Sequence, residues 1–99
     1  MRAIAVDDEK YMLETLQEAV SKSPDIEQVE AFSSCSATLA YAADHPVDIA
    51  FLDINMRGIG GLRLAEKLME LHPWCKIVFC TGYEESMLCL LFNSMCRVI

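Results

Sequence analysis

Residues 47–61, VDIAFLDINMRGIGG, decide the fold of this chain. Residues 49–52 are all apolar and do not alternate with polar residues, which is typical of a strand buried on both faces of a parallel sheet. Asp53 would stand at the carboxyl end of that strand, before a glycine-rich turn and a helix. Because open α/β sheets bind ligands outside the carboxyl ends of their strands, Asp53 is a candidate site residue.

A matching element opens the chain, where residues 3–9 read AIAVDDE. If residues 3–6 form a strand, Asp7 and Asp8 also follow a carboxyl strand end. Adjacent carboxylates repel unless a cation lies between them or one stays protonated, and Mg²⁺ prefers such oxygen ligands. A second interpretation stays open at this point, in which Asp7, Asp8 and Glu9 merely favour the N-terminus of the next helix.

Strands and helices alternate along the whole chain. We predict strands over 2–6, 26–32, 47–53 and 76–81, helices over 10–21, 33 or 34–43, 61–71 and 84–94, and the start of a fifth strand at 96–99. This order predicts one α/β domain over residues 1–99, a flavodoxin-like doubly wound parallel sheet of order 2-1-3-4-5. Strand two should be an exposed edge, and the third helix should bury Leu64, Ala65, Leu68 and Leu71.

Composition narrows the function classes. A net charge of −7 over 99 residues disfavours direct nucleic-acid binding, which needs Lys and Arg. No window is apolar and long enough to span a membrane and no signal peptide precedes the first strand, so we expect a cytoplasmic chain. Five scattered cysteines without a C-x-x-C pair indicate reduced thiols, and His45 and His72 lack zinc-ligand spacing.

Three motifs together make the chain resemble the receiver domain of two-component response regulators. They are VDDE at 6–9, FLDINM at 51–56 with Gly61 closing the loop, and VFCTGY at 78–83. They occur in the family's order and at about its spacings, and the resemblance covers essentially the whole chain. The continuation TGYEE is most similar to receivers of the LytTR-type family, which precede a DNA-binding output domain.

The resemblance implies a function for particular residues. Asp53 is the expected phosphoacceptor, receiving its phosphoryl group from a sensor histidine kinase. Asp7, Asp8, Asp53 and the backbone carbonyl of Asn55 are the expected Mg²⁺ ligands. Thr81 is expected to hydrogen-bond a phosphoryl oxygen. DNA would be contacted only through the output domain of a longer protein.

The chain also departs from the family's pattern. The lysine and aromatic residue of strand five and the fifth helix are not found before Ile99, so we interpret the chain as C-terminally truncated or as a degenerate receiver. Arg57, where the family often has proline, reads as a solvated loop residue. A degenerate receiver would act as a non-phosphorylated interaction or dimerisation module.

Residues 87–92, MLCLLF, are apolar nearly all round, which suggests a homodimer or an exchange of C-terminal segments between two copies.

Other functions fit the sequence less well. A flavin-binding domain of similar topology is disfavoured because the acids after strand one would repel a phosphate. We expect no turnover enzyme, since no second acid–base or nucleophile set accompanies Asp53.

Overall fold

The computed structural model describes residues 1–54 and 56–80 of the chain. Four strands alternate with three helices in the described part. They are β1 (Arg2–Val6), α1 (Lys10–Ser21), β2 (Gln28–Phe32), α2 (Cys35–Asp44), β3 (Ile49–Leu52), α3 (Gly60–Leu71) and β4 (Lys76–Phe79). The predicted helix over 84–94 and the start of a fifth strand at 96–99 lie outside the described residues.

All strand pairs are parallel, and the sheet has the order β2-β1-β3-β4. The predicted α/β fold and the neighbourhood of strands one and three are therefore confirmed, with β2 at an edge. Val6 pairs with Phe32 on one side and with Leu52 on the other, and Leu52 pairs with Phe79. Because these partners are the last residues of their strands, all four strands end at one edge of the sheet.

Helices cover both faces of the sheet, since successive strand residues point in opposite directions. On one face, apolar residues from β1, β3 and β4 pack with α2 and α3 residues such as Ala42, Leu64 and Leu68. On the other face, Phe51 and Val78 pack with Leu16 and Val20 of α1. The residues of β3 are all buried, as an apolar strand between two helical layers requires.

Local contacts correct three of the predicted boundaries and burials. β2 begins at Gln28 rather than at residue 26, because Ile26 is held in a turn by a hydrogen bond from its N–H to the carbonyl of Ser23. β3 covers Ile49–Leu52 rather than 47–53. Leu71 is 44% exposed at the end of α3, so its predicted burial was wrong. Leu64, Ala65 and Leu68 are buried as predicted.

The start of α2 was predicted from its serine pair. Ser34 is the N-cap, with extended backbone angles, and its hydroxyl accepts a hydrogen bond from the N–H of Ala37. Cys35, Cys75 and Cys80 are buried cysteines in the described part of the chain. No helix in residues 1–54 and 56–80 has the length and apolar character needed to cross a bilayer.

Candidate functional site

Backbone hydrogen bonds place two acids side by side at the carboxyl edge of the sheet. The N–H of Asp53 donates to the carbonyl of Val6 at 3.1 Å, which extends the β1–β3 ladder by one residue. The N–H of Asp7 donates to the carbonyl of Phe32 at 3.2 Å, which extends the β1–β2 ladder in the same way. Both side chains therefore emerge where the strands end, as the sequence predicted.

Three carboxylates converge at this edge. One oxygen from each of Asp7, Asp8 and Asp53 lies within 4.8 Å of the others, and we call these three residues the acidic cluster. Asp7 is buried, whereas Asp8 and Asp53 are half-buried. The structure thus brings together three of the predicted site residues, while Asn55 and Thr81 lie outside the described residues.

Burial raises the pKa of Asp7 from 3.8 to about 6. Loss of solvent around the carboxylate is the main cause of this rise. A hydrogen bond from the Glu9 N–H to Asp7 Oδ1, at 2.9 Å, acts in the opposite direction and offsets part of it. The charges of Asp53, Asp8 and Glu9 raise the pKa further. The charged form of Asp7 is therefore disfavoured at this site, and a cation among the carboxylates would favour it.

The acids contribute little to capping the helix that follows them. Glu9 is the N-cap of α1 and its side chain makes no capping hydrogen bond, and the first turn of α1 contains no acidic residue. The Asp7 carboxylate instead receives the N–H of Glu9, before the helix begins. The described contacts of Asp7 and Glu9 are therefore not capping hydrogen bonds to the first turn of α1, although their charges lie near its N-terminus.

Arg57 approaches the acidic cluster from the β3–α3 loop. Its backbone N–H donates to Asp8 Oδ2 at 2.9 Å, and its guanidinium Nε lies 3.4 Å from the same oxygen. The predicted solvated side chain of Arg57 is indeed 90% exposed, but its guanidinium also forms an ion pair with Asp8. The sequence carried no signal for this pair, because its partners are 49 positions apart and meet only through the course of the loop.

Glycines give the β3–α3 loop its path. Gly58 and Gly60 have positive φ angles of 85° and 83°, which disfavour residues with a Cβ. Gly61 packs against backbone: a Cβ there would overlap the carbonyl oxygen of Asp53 and lie 2.8 Å from the Cα of Ile54. The N–H of Gly61 also donates to the Ile54 carbonyl at 3.0 Å. The start of α3 is thereby held directly against the segment that carries Asp53.

An open groove of about 500 Å³ adjoins the acidic cluster. It lies between the β2–α2 and β3–α3 segments and is lined by residues 8, 33–36 and 56–59. Asp8 belongs to both the groove and the acidic cluster, so the cluster is reached from solvent on this side. The buried Cys35 thiol lies 3.9 Å from the carbonyl oxygen of Arg57 at the wall of the groove.

The donor set of the acidic cluster fits a hard divalent cation. Carboxylate oxygens within 4.8 Å of one another can share one ion, and Mg²⁺ takes one or two carboxylates while retaining several waters. Two positive charges would offset the mutual repulsion of the three acids and the raised pKa of Asp7. Asp7, Asp8 and Asp53 are thus the described residues that could hold such an ion.

Comparison with known proteins agrees with this architecture. A family model described as response regulator receiver domain matches residues 3–91. The sensory transduction protein LytT of Enterococcus faecalis is 34% identical over 85 residues, covering 86% of this chain and 35% of that protein. LytR of Staphylococcus epidermidis is 31% identical, covering 86% of this chain and 34% of that protein. The chain therefore spans about a third of the length of these relatives.

Solved structures show the same fold. A two-component transcriptional regulator from Clostridium phytofermentans superposes with a TM-score of 0.73 at 25% identity, covering 80% of this chain and 64% of that chain. A CheY-like receiver domain protein from Methanospirillum hungatei gives a TM-score of 0.66 at 22% identity, covering 90% of this chain and 72% of that chain. The parallel sheet, the acidic cluster and the family match lead to one conclusion: this chain belongs to the response regulator receiver domain family of two-component systems.

Proposed function

We propose that this chain is a phosphoacceptor receiver in which Asp53 accepts a phosphoryl group. The observation that carries the proposal is the convergence of Asp7, Asp8 and Asp53 at the carboxyl edge of the sheet. Asp53 is half-buried and reachable from solvent, while Asp7 is buried. A half-buried acceptor beside acids that can hold a cation is the arrangement that phosphoryl transfer to a carboxylate needs.

The proposed donor is a phosphohistidine of a sensor histidine kinase. An Asp53 carboxylate oxygen attacks the phosphorus atom, and a new O–P bond forms as the P–N bond breaks. The electron pair of the P–N bond stays on the imidazole, which leaves as a neutral ring once it holds one proton. The product is an acyl phosphate on Asp53, and catalysis consists of positioning and charge neutralisation rather than acid–base work.

Mg²⁺ is the proposed cofactor, and when bound it would reduce the repulsion between the carboxylate and the phosphoryl oxygens. Asp7, Asp8 and Asp53 would hold it, with the backbone carbonyl of Asn55 as a further ligand. The Thr81 hydroxyl would donate a hydrogen bond to a phosphoryl oxygen. The roles of Asn55 and Thr81 rest on the family resemblance, since both residues lie outside the described part of the chain.

The output of the signal is proposed from the relatives. One similar structure is described as a two-component transcriptional regulator, and the curated relatives are named as sensory transduction proteins. We infer that phosphorylation of Asp53 controls a DNA-binding output domain. The net charge of −7 supports an output in which this domain itself makes no contact with DNA.

Association with a second copy stays a prediction. It rests on the apolar residues 87–92, which lie outside the described part of the chain. Sedimentation at micromolar concentration tests it: a dimer mass is expected, and a monomer mass at all concentrations contradicts it.

Intact-mass spectrometry tests the phosphoacceptor proposal. The chain is incubated with Mg²⁺ and a small-molecule phosphodonor, beside an Asp53→Asn variant and an Asp44→Asn control that removes an exposed acid of α2. The parent and the control should gain one phosphoryl group and the Asp53 variant none. An equal adduct on all three would disprove the assignment, and no adduct on any would favour the non-phosphorylated interaction module.

A further inference from the structure

Arg57 contacts Asp8 of the acidic cluster through two separate groups. Its backbone N–H and its guanidinium both meet Asp8 Oδ2, at 2.9 Å and 3.4 Å. The backbone contact fixes the β3–α3 loop beside Asp8 whatever side chain stands at position 57. The side chain adds a positive charge at the edge of the acidic cluster, and it can be changed without removing the backbone contact.

The charges at this point compete with each other. Asp8 Oδ2 already accepts the Arg57 backbone N–H and pairs with its guanidinium, and the Asp8 side chain is 22% exposed, so little of it faces bulk water. A divalent cation that uses Asp8 would stand close to the guanidinium, and two positive groups within a few ångströms repel. Conversely, in the absence of a cation the guanidinium offsets part of the repulsion among the three carboxylates.

We propose that Arg57 is a tethered counter-ion that competes with the divalent cation for Asp8 and thereby lowers the metal affinity of the acidic cluster. The inference rests on the proposed function, because it assumes that the cluster binds the cation. Metal binding displaces the guanidinium from Asp8, and the backbone N–H stays in place. Metal occupancy, and with it readiness for phosphoryl transfer, is then set partly by this one side chain.

The surroundings of Arg57 allow this exchange. Its side chain is 90% exposed, so the guanidinium can leave Asp8 without displacing packed neighbours. Arg57 and Asp8 both line the open groove, which gives the released side chain solvent-filled space. The guanidinium partner of this pair is exposed to solvent, which weakens its attraction to Asp8, so a divalent ion can displace it.

Calorimetric titration with Mg²⁺ and with Mn²⁺ tests the proposal through binding alone. The variants are Arg57→Gln, which removes the charge, and Arg57→Lys, which keeps it. Arg63→Gln is the matched control, because Arg63 is an exposed arginine of α3 whose guanidinium pairs with Glu66 at 3.1 Å instead of with the acidic cluster. The control removes the same net charge from the chain at a different place.

At low ionic strength Arg57→Gln should bind both cations about three- to tenfold more tightly than the parent chain, whereas Arg57→Lys and Arg63→Gln should stay within about twofold. The gain should shrink in about 0.5 M salt, because salt screens exposed charges. Equal or weaker binding by Arg57→Gln overturns the inference and leaves the proposed function standing, as does the same gain in Arg63→Gln. Binding by no form would overturn the inference and the metal site of the proposed function together.

Discussion

The backbone N–H of Asp53 donates a hydrogen bond to the carbonyl oxygen of Val6 at 3.1 Å, so the end of β3 is fixed to the end of β1. Asp7 directly follows Val6, and the two acids are thus brought together by the sheet itself and not by a flexible loop. Sites built on strand ends hold their geometry better than sites on loops. The proximity of Asp53 to Asp7 and Asp8 follows from this register.

The raised pKa of Asp7 predicts a change in stability with pH. Its folded pKa of about 6 exceeds the ordinary 3.8, so the folded state binds the proton more tightly than the unfolded state. The Asp7 contribution to stability is therefore greatest below the ordinary pKa and falls as pH rises to about 6, with no further change above. Asp7→Asn removes the charge and keeps an acceptor for the Glu9 N–H.

In metal-free buffer, we expect Asp7→Asn to be more stable than the parent by about 1 to 3 kcal/mol at pH 8 and by much less at pH 4. Urea unfolding at the two pH values measures the difference, with Asp44→Asn as the control for loss of an exposed acid. An Asp7→Asn chain that is no more stable than the parent at pH 8 would contradict the account.

Metal removal should lower the stability of the parent chain. A ligand that binds only the folded state at about ten times its dissociation constant stabilises that state by about 1.4 kcal/mol. Mg²⁺ should therefore raise the melting temperature of the parent, and excess chelator should reverse the gain. Asp53→Asn should lose most of this gain. An equal rise in both chains would show that Asp53 takes no part in holding the cation.

Gly61 should tolerate no side chain. A Cβ at this position would overlap the Asp53 carbonyl oxygen and approach the Ile54 Cα, and neither backbone atom can move aside without shifting the strand end. We expect Gly61→Ala to cost about 3 kcal/mol of unfolding free energy and to weaken Mg²⁺ binding.

Gly58→Ala is the matched control for that substitution. It has open space around the added Cβ but a φ of 85°, and should cost about 1 kcal/mol. Chemical denaturation of the two variants measures which of them loses more unfolding free energy. A Gly58 variant that is the less stable of the two would contradict the packing explanation.

The two histidines of the chain should differ in their contribution to stability. His72 Nε2 lies 2.8 Å from the Ala42 carbonyl and 3.0 Å from the His45 carbonyl, so it donates to both and ties α3 to the end of α2. His72→Ala leaves these acceptors without their donor and should cost about 2 kcal/mol. His45→Ala, at an exposed position stacked on Tyr41, should cost under about 1 kcal/mol. Equal losses in urea unfolding would contradict this assignment.

Periodicity and strand-end chemistry predicted much of this architecture. The bounds of β1 and α1, the Ser34 cap and the neighbourhood of β1 and β3 depend on local residue patterns and on the rules of parallel sheets. Burial at helix ends was harder to predict: the helical repeat places Leu71 on the apolar face of α3, yet among residues 1–54 and 56–80 its side chain is 44% exposed. The Arg57–Asp8 pair was missed, since it depends on the path of a glycine loop.

The most direct test of the account locates the phosphoryl group in the chain. After reaction with a phosphodonor and Mg²⁺, borohydride reduces an aspartyl phosphate to homoserine and leaves free carboxylates unchanged. Peptide mapping by tandem mass spectrometry then identifies the modified position, with a sample lacking Mg²⁺ for comparison. The account predicts homoserine at position 53 and much less of it without Mg²⁺. Homoserine at position 7 or 8 in place of 53 would contradict the central claim that Asp53 is the phosphoacceptor.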